Sequence, residues 1–83
     1  MVLTLKIDSM SELAELQRLA AQADKPVYIA NADEKISVDA RSFLGLFALD
    51  YSKPVKVITD SLYAVRMLEI RQRRLDAATV AAR

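Results

Sequence analysis

Apolar and polar residues alternate at the start of the chain, with Leu3, Leu5 and Ile7 on one side and Val2, Thr4 and Lys6 on the other. A period of two predicts a half-buried strand. The period then changes. Met10, Leu13, Leu16, Ala20 and Ala23 recur at helical spacing, with Glu12, Glu15 and Arg18 on the opposite side. Ser9 stands three residues before Glu12, the spacing of a capping box, in which hydroxyl and carboxylate satisfy free backbone N–H groups. The pattern predicts a helix from Met10 to Ala23. Asp24-Lys25-Pro26 ends it, because proline cannot continue a helix.

Alternation returns at Val27 and Ile29 around Tyr28, and at Ile36 and Val38 around Lys35, Ser37 and Asp39. The polar turn Asn31-Ala32-Asp33-Glu34 between these strands predicts a hairpin, with Asn31 and Asp33 as the residues suited to turn positions and to positive φ. Ser42 to Leu49 is apolar nearly all round, and Ser42 is placed to cap a short helix that Asp50 to Pro54 ends. Val55 and Val57 alternate with Lys56 and Ile58 in a fourth strand. Asp60 and Ser61 are cap candidates for a long last helix. Its predicted stripe is Leu62, Val65, Leu68 and Leu75, widened by Tyr63, Met67 and Ile70. Residues 77–83 are Ala-rich and either extend this helix or fray. The expected class is α+β in the order β-α-β-β-α-β-α. Helices should cover one face of a four-stranded antiparallel sheet, because no strand is long and apolar enough to be buried on both faces.

At 83 residues the chain has room for one core. We expect a single domain over residues 1–76 plus the tail. It holds no Cys and no His, which removes thiolate chemistry, disulfides, the usual general base and the commonest metal ligand. Its one Gly, Gly45, excludes a glycine-rich phosphate loop. Asp33-Glu34 suggests a cation, but the acidic residues match no calcium-loop spacing. Neither catalysis, a metal nor a cofactor is therefore expected. A net charge of +1 points to neither nucleic acid nor a membrane surface. Arg66, Arg71, Arg73 and Arg74 cluster late in the last helix, where cations suit the helix dipole. Tyr63 is the only aromatic residue on that helix, so no stacking platform accompanies the arginines. No apolar run approaches membrane-spanning length. No secretion leader is read at the start, so the cytoplasm is the expected location.

Phe43, Leu44, Leu46, Phe47 and Leu49 are too many apolar residues for a two-turn helix to bury on one side. Either Tyr51 or the last helix covers the surplus, or it is an exposed interaction surface. The second expectation is preferred.

Ala40-Arg41-Ser42-Phe43-Leu44-Gly45-Leu46, with the order of elements around it, resembles the histidine-containing phosphocarrier protein (HPr) family of the sugar phosphotransferase system. The family shares a segment of a basic residue, Ser, two apolar residues, Gly and another apolar residue at the start of its second helix. The resemblance covers residues 1–76 and implies an open-faced β-sandwich of four antiparallel strands under three helices. It does not extend to the family's phosphoryl acceptor, a histidine in an Asn-Gly-Leu-His-x-Arg-Pro-like loop. The corresponding interval here is Ile7-Asp8-Ser9-Met10-Ser11, with no His, Arg or Pro. The implied role is then regulatory. In Gram-positive members, and in a His-less paralogue, the serine matching Ser42 is phosphorylated by an ATP-dependent kinase, and the product docks on a transcriptional regulator. The resemblance points to Arg41, Phe43, Leu44, Leu46 and Phe47 as partner-binding residues. The implied partner is a regulator, a kinase or a phosphotransferase-system component. A self-associating structural domain, with the last helix or this patch forming a homodimer, and a small-molecule-sensing βαββαβ domain are the alternatives.

Overall fold

The computed structural model describes the backbone of residues 1–81 and the side chains of residues 1–76. The expectation for the tail lies outside those residues at positions 82 and 83. The chain runs β1 (Val2–Leu5), α1 (Met10–Gln22), β2 (Val27–Ala30), β3 (Ser37–Asp39), α2 (Phe43–Leu46), β4 (Val55–Thr59) and α3 (Leu62–Ala81). The class is α+β, as expected. The four strands form one open sheet in the order β1-β4-β2-β3, and all three neighbouring pairs are antiparallel.

Strand alternation decides which face is covered. Leu5, Val27, Ile29, Val55 and Val57 point to one side and are buried. They pack with Leu13, Leu16 and Ala20 of α1, Leu46 of α2, and Ala64 and Leu68 of α3 in one core. Each large aliphatic side chain placed there contributes about 1.5–3 kcal/mol. The other face carries Thr4, Tyr28, Lys56 and Ile58, with Tyr28 exposed and Lys56 and Ile58 half-buried.

The capping box forms with one change of partner. Ser9 Oγ accepts from Glu12 N at 3.2 Å, while Glu12 Oε2 accepts from the N–H of Asp8, one residue before the cap. β1 stops at the Leu5–Val55 pair, two residues earlier than the alternation extends. The next partner is Pro54, which has no N–H for the ladder. Ile7 nonetheless stays in the core.

The hairpin closes through Asn31 N to Ile36 O, 3.0 Å, and Glu34 N to Asn31 O, 2.8 Å. Its positive φ falls on Glu34, at 60°, and on neither Asn31 nor Asp33. Those two side chains are used otherwise. Asp33 Oδ1 accepts from Lys35 N, 3.0 Å, and Asn31 Oδ1 accepts from Asp50 N, 2.8 Å, which ties the turn to the loop before β4. Ile36 lies before β3 and is exposed, because pairing ends at Ala30–Ser37.

Ser61 caps α3. Its hydroxyl accepts from Ala64 N at 3.1 Å and donates to Asp24 Oδ1 at 2.6 Å, and its N–H donates to Thr59 Oγ1 at 3.0 Å. Thr59 Oγ1 in turn donates to Pro26 O at 2.8 Å. These bonds fasten the α1–β2 connection to the β4–α3 connection. The Ser61 hydrogen bond holds the Asp24 carboxyl below its ordinary pKa.

The buried stripe of α3 is rotated from the expected one. Ala64, Val65, Leu68 and Arg71 face inward, whereas Leu62 is 75% exposed and Leu75 is exposed at the rim. Leu62 is the first residue of the helix, and the small Ala64 is fully buried in the core. The arginine cluster also changes meaning. The helix continues to Ala81 and its last turn holds no basic residue, so the dipole, which acts within the last turn, does not account for it.

Candidate docking surface around the second helix

Approach to α2 is set by a small ion-paired turn. Ala40 N donates to Val27 O at 2.9 Å, extending the sheet by one bond. Asp39 Oδ1 accepts from the backbone N–H of Arg41 at 2.9 Å, and the Arg41 guanidinium closes on the same carboxylate, NH2 to Oδ2 at 2.8 Å. The pair lowers the pKa of Asp39 and raises that of Arg41, in both cases chiefly through this side-chain hydrogen bond. From α1, Gln17 Nε2 donates to Arg41 O at 3.2 Å. The turn is thereby held from both sides before the helix begins.

Ser42 then caps α2. Its Oγ accepts from Gly45 N at 3.2 Å, and its carbonyl accepts from Leu46 N at 3.2 Å. Gly45 is required for closeness and not for its φ. A Cβ there would lie 3.2 Å from Ser42 Oγ and 3.5 Å from Val38 Cβ. Leu46 is fully buried and Leu49 nearly so. The Tyr51 hydroxyl donates to Leu46 O from below, and burial raises its own pKa.

With those anchors in place, the remaining apolar side chains point outward. Phe43 is 39% exposed, Leu44 85% and Phe47 52%. The two phenyl rings meet in a tilted pair with centroids 5.4 Å apart. The main packing of α2 is on β3 and α1, and the Tyr51 hydroxyl is used on the Leu46 carbonyl. The surplus is thus exposed, as the preferred expectation required of it.

One of the expected partner-binding residues is corrected. Leu46 presents no surface, because it is the side chain that fastens α2 to the core. Arg41 is on the surface but is already engaged by Asp39, so it is not an uncommitted cation. Ser42, Phe43, Leu44 and Phe47 are brought together and exposed. The Asp39 carboxylate beside them is salt-bridged with a depressed pKa, which makes it a poor general base. Among the described residues no group of three acidic side chains could hold a metal ion.

Two polar features escaped the sequence. One is the Asp24–Ser61–Thr59 network. The other is Arg71, buried between α1 and α3 with NH2 3.3 Å from Glu12 Oε1 and Nε 3.5 Å from Glu15 Oε1. The only available signal was Arg71's position one turn beyond Leu68, on the buried side of α3. The chain matches no protein-family model, no curated protein and no solved structure.

Proposed function

We propose that this chain is a regulatory protein-binding module that docks partners through Phe43, Leu44 and Phe47 and is switched by phosphorylation of Ser42. One observation carries this reading: Phe43 and Leu44 of the four-residue α2 and Phe47 at its C-cap are all exposed, while Leu46 of the same helix is fully buried in the core. Contiguous exposed apolar surface marks interaction sites in small domains. The β-α-β-β-α-β-α order, the open antiparallel sheet and the segment Ala40 to Leu46 support an HPr-like module. Having no histidine, it cannot carry a phosphoryl group as phosphohistidine. Its partner would then be a transcriptional regulator, a kinase or a phosphotransferase-system component.

The exposed Ser42 hydroxyl supports the switch. Phosphorylation adds about −1.5 to −2 charges at pH 7. Next to Phe43 and Leu44, that charge converts an apolar patch into an apolar patch with an anionic corner. Arg41 is the adjacent guanidinium for which it would compete with Asp39.

Incubation with ATP and an HPr serine kinase, followed by intact mass and peptide mapping, tests the switch. One phosphate on Ser42, together with altered regulator binding by Ser42→Asp, is the expected result. No phosphate beside an active kinase control reduces Ser42 to a helix cap. Leu44→Glu tests the docking surface separately. Loss of regulator binding with the fold retained is expected, and a dimer that becomes monomeric would instead make the patch a self-association surface.

A further inference from the structure

Helices α1 and α3 run antiparallel, and a groove of about 430 Å³ lies between them. The Tyr63 hydroxyl donates to Gln22 Oε1 at one end, 3.1 Å, and Arg74 NH2 reaches Glu15 Oε1 at the other, 3.5 Å. Leu19, Tyr63 and Met67 give the groove an apolar stretch, and Arg18, Arg71 and Arg74 give it three guanidinium groups against the one lining carboxylate of Glu15. It shares no residue with the α2 patch.

Arg71 is the unusual member. Its side chain is 7% exposed, yet neither NH1 nor NH2 makes a hydrogen bond. Burying a charged donor without a well-formed hydrogen bond is costly. The carboxylates beside it serve it poorly. Glu12 Oε2 is committed to the Asp8 N–H, leaving Oε1 at 3.3 Å from NH2. Glu15 divides a single oxygen, Oε1, between Arg71 Nε and Arg74 NH2, each at 3.5 Å. Charge-assisted hydrogen bonds to carboxylates are normally about 2.7–2.9 Å. Glu15 is also 46% exposed, so it is a loosely held counterion that can swing out to solvent.

We propose that this groove binds a small-molecule phosphate monoester. The phosphoryl group displaces the Glu15 carboxylate from Arg71 and Arg74, and the organic portion lies on Leu19, Met67 and Tyr63. A carboxylate ligand would only replace Glu15 like for like. A phosphate dianion brings more charge and three oxygens, enough to serve two guanidinium forks together. The groove volume falls in the range of small-ligand sites.

The test uses the full chain with phenyl phosphate, inorganic phosphate and phenol as probes, read by calorimetry and by the NMR signals of the Leu19 and Met67 methyl groups. Phenyl phosphate should bind saturably and shift those methyls, more tightly than inorganic phosphate, and phenol should not bind. Arg74→Gln, at an exposed position, should weaken phenyl phosphate about tenfold. Glu15→Gln should tighten it, because the competing carboxylate is gone; a purely structural role for Glu15 would not produce that gain. Circular dichroism confirms that both variants fold. Absence of saturable binding, equal affinity for inorganic phosphate, or Arg74→Gln binding like the parent would each overturn the proposal.

Discussion

Ser42 and Ser61 hold the same post and live in different surroundings. Each accepts a hydrogen bond from the backbone N–H three residues on, Gly45 for one and Ala64 for the other. Ser61 is fully buried, donates to Asp24, and starts a 20-residue helix. Ser42 is exposed and starts a four-residue helix. A buried hydroxyl with partners in both directions is structural, because any change leaves Asp24 or the helix end unsatisfied. An exposed hydroxyl with one weak backbone bond is open to modification at small cost to the fold. The two helix starts therefore differ in how much of the fold depends on them.

The sharpest way to break this comparison is to remove the anchor that holds α2 in place. Leu46→Ala should destabilise by about 2–5 kcal/mol in chemical denaturation, since it empties a buried leucine site. Leu44→Ala, two residues away, should stay within about 0.5 kcal/mol, as exposed substitutions do. Equal losses would mean that Leu44 is covered by something.

Next in size is Ser61→Ala, expected to cost about 1–2 kcal/mol, at the upper end for a lost cap because the hydroxyl also holds Asp24. Ser42→Ala should cost less, about 0.5–1 kcal/mol, because only one end of a short helix is loosened. A reversal of that order would undo the contrast between the two serines.

The smallest effect is a pH dependence. Asp24 has its pKa lowered in the folded protein, first by the Ser61 hydrogen bond and then by its own backbone bond. A depressed carboxylate contributes its stability in full above its unfolded pKa and loses it as pH falls through the folded value. Denaturation midpoints should therefore hold steady near neutrality and decline below about pH 4. Asp24→Asn should shallow that decline. Asp39 and Asp50, lowered chiefly by Arg41 and by Ser52, share the direction, so the decline should be reduced and not abolished.

Much of the fold was legible because it depends on local chemistry. Alternation placed every strand to within two residues, and the capping residues placed the helix starts, while α2 ends at Leu46, three residues short of the expected Leu49. Part of the candidate site was legible for the same reason: an apolar run too rich for a two-turn helix must leave something exposed. Which residues are exposed was not, since Leu46 and Leu44 are chemically identical and differ only in the direction they face. The positive φ at Glu34 also ran against residue preference, and the Asn31 side chain serves instead to accept from the Asp50 N–H of a distant loop.

The sequence by itself determined the α+β class, the order of elements, the serine caps at positions 9 and 42, a cap at position 60 or 61, and the exclusion of phosphohistidine. Period, capping spacing and composition are properties of neighbours along the chain. The tertiary structure alone decided the strand order β1-β4-β2-β3, the burial of Ser61 against Asp24, and the enclosure of Arg71 by Glu12 and Glu15. The two side-chain arrangements join residues 37 and more apart. No local pattern encodes them, because they exist only once the sheet has brought α1 and α3 together.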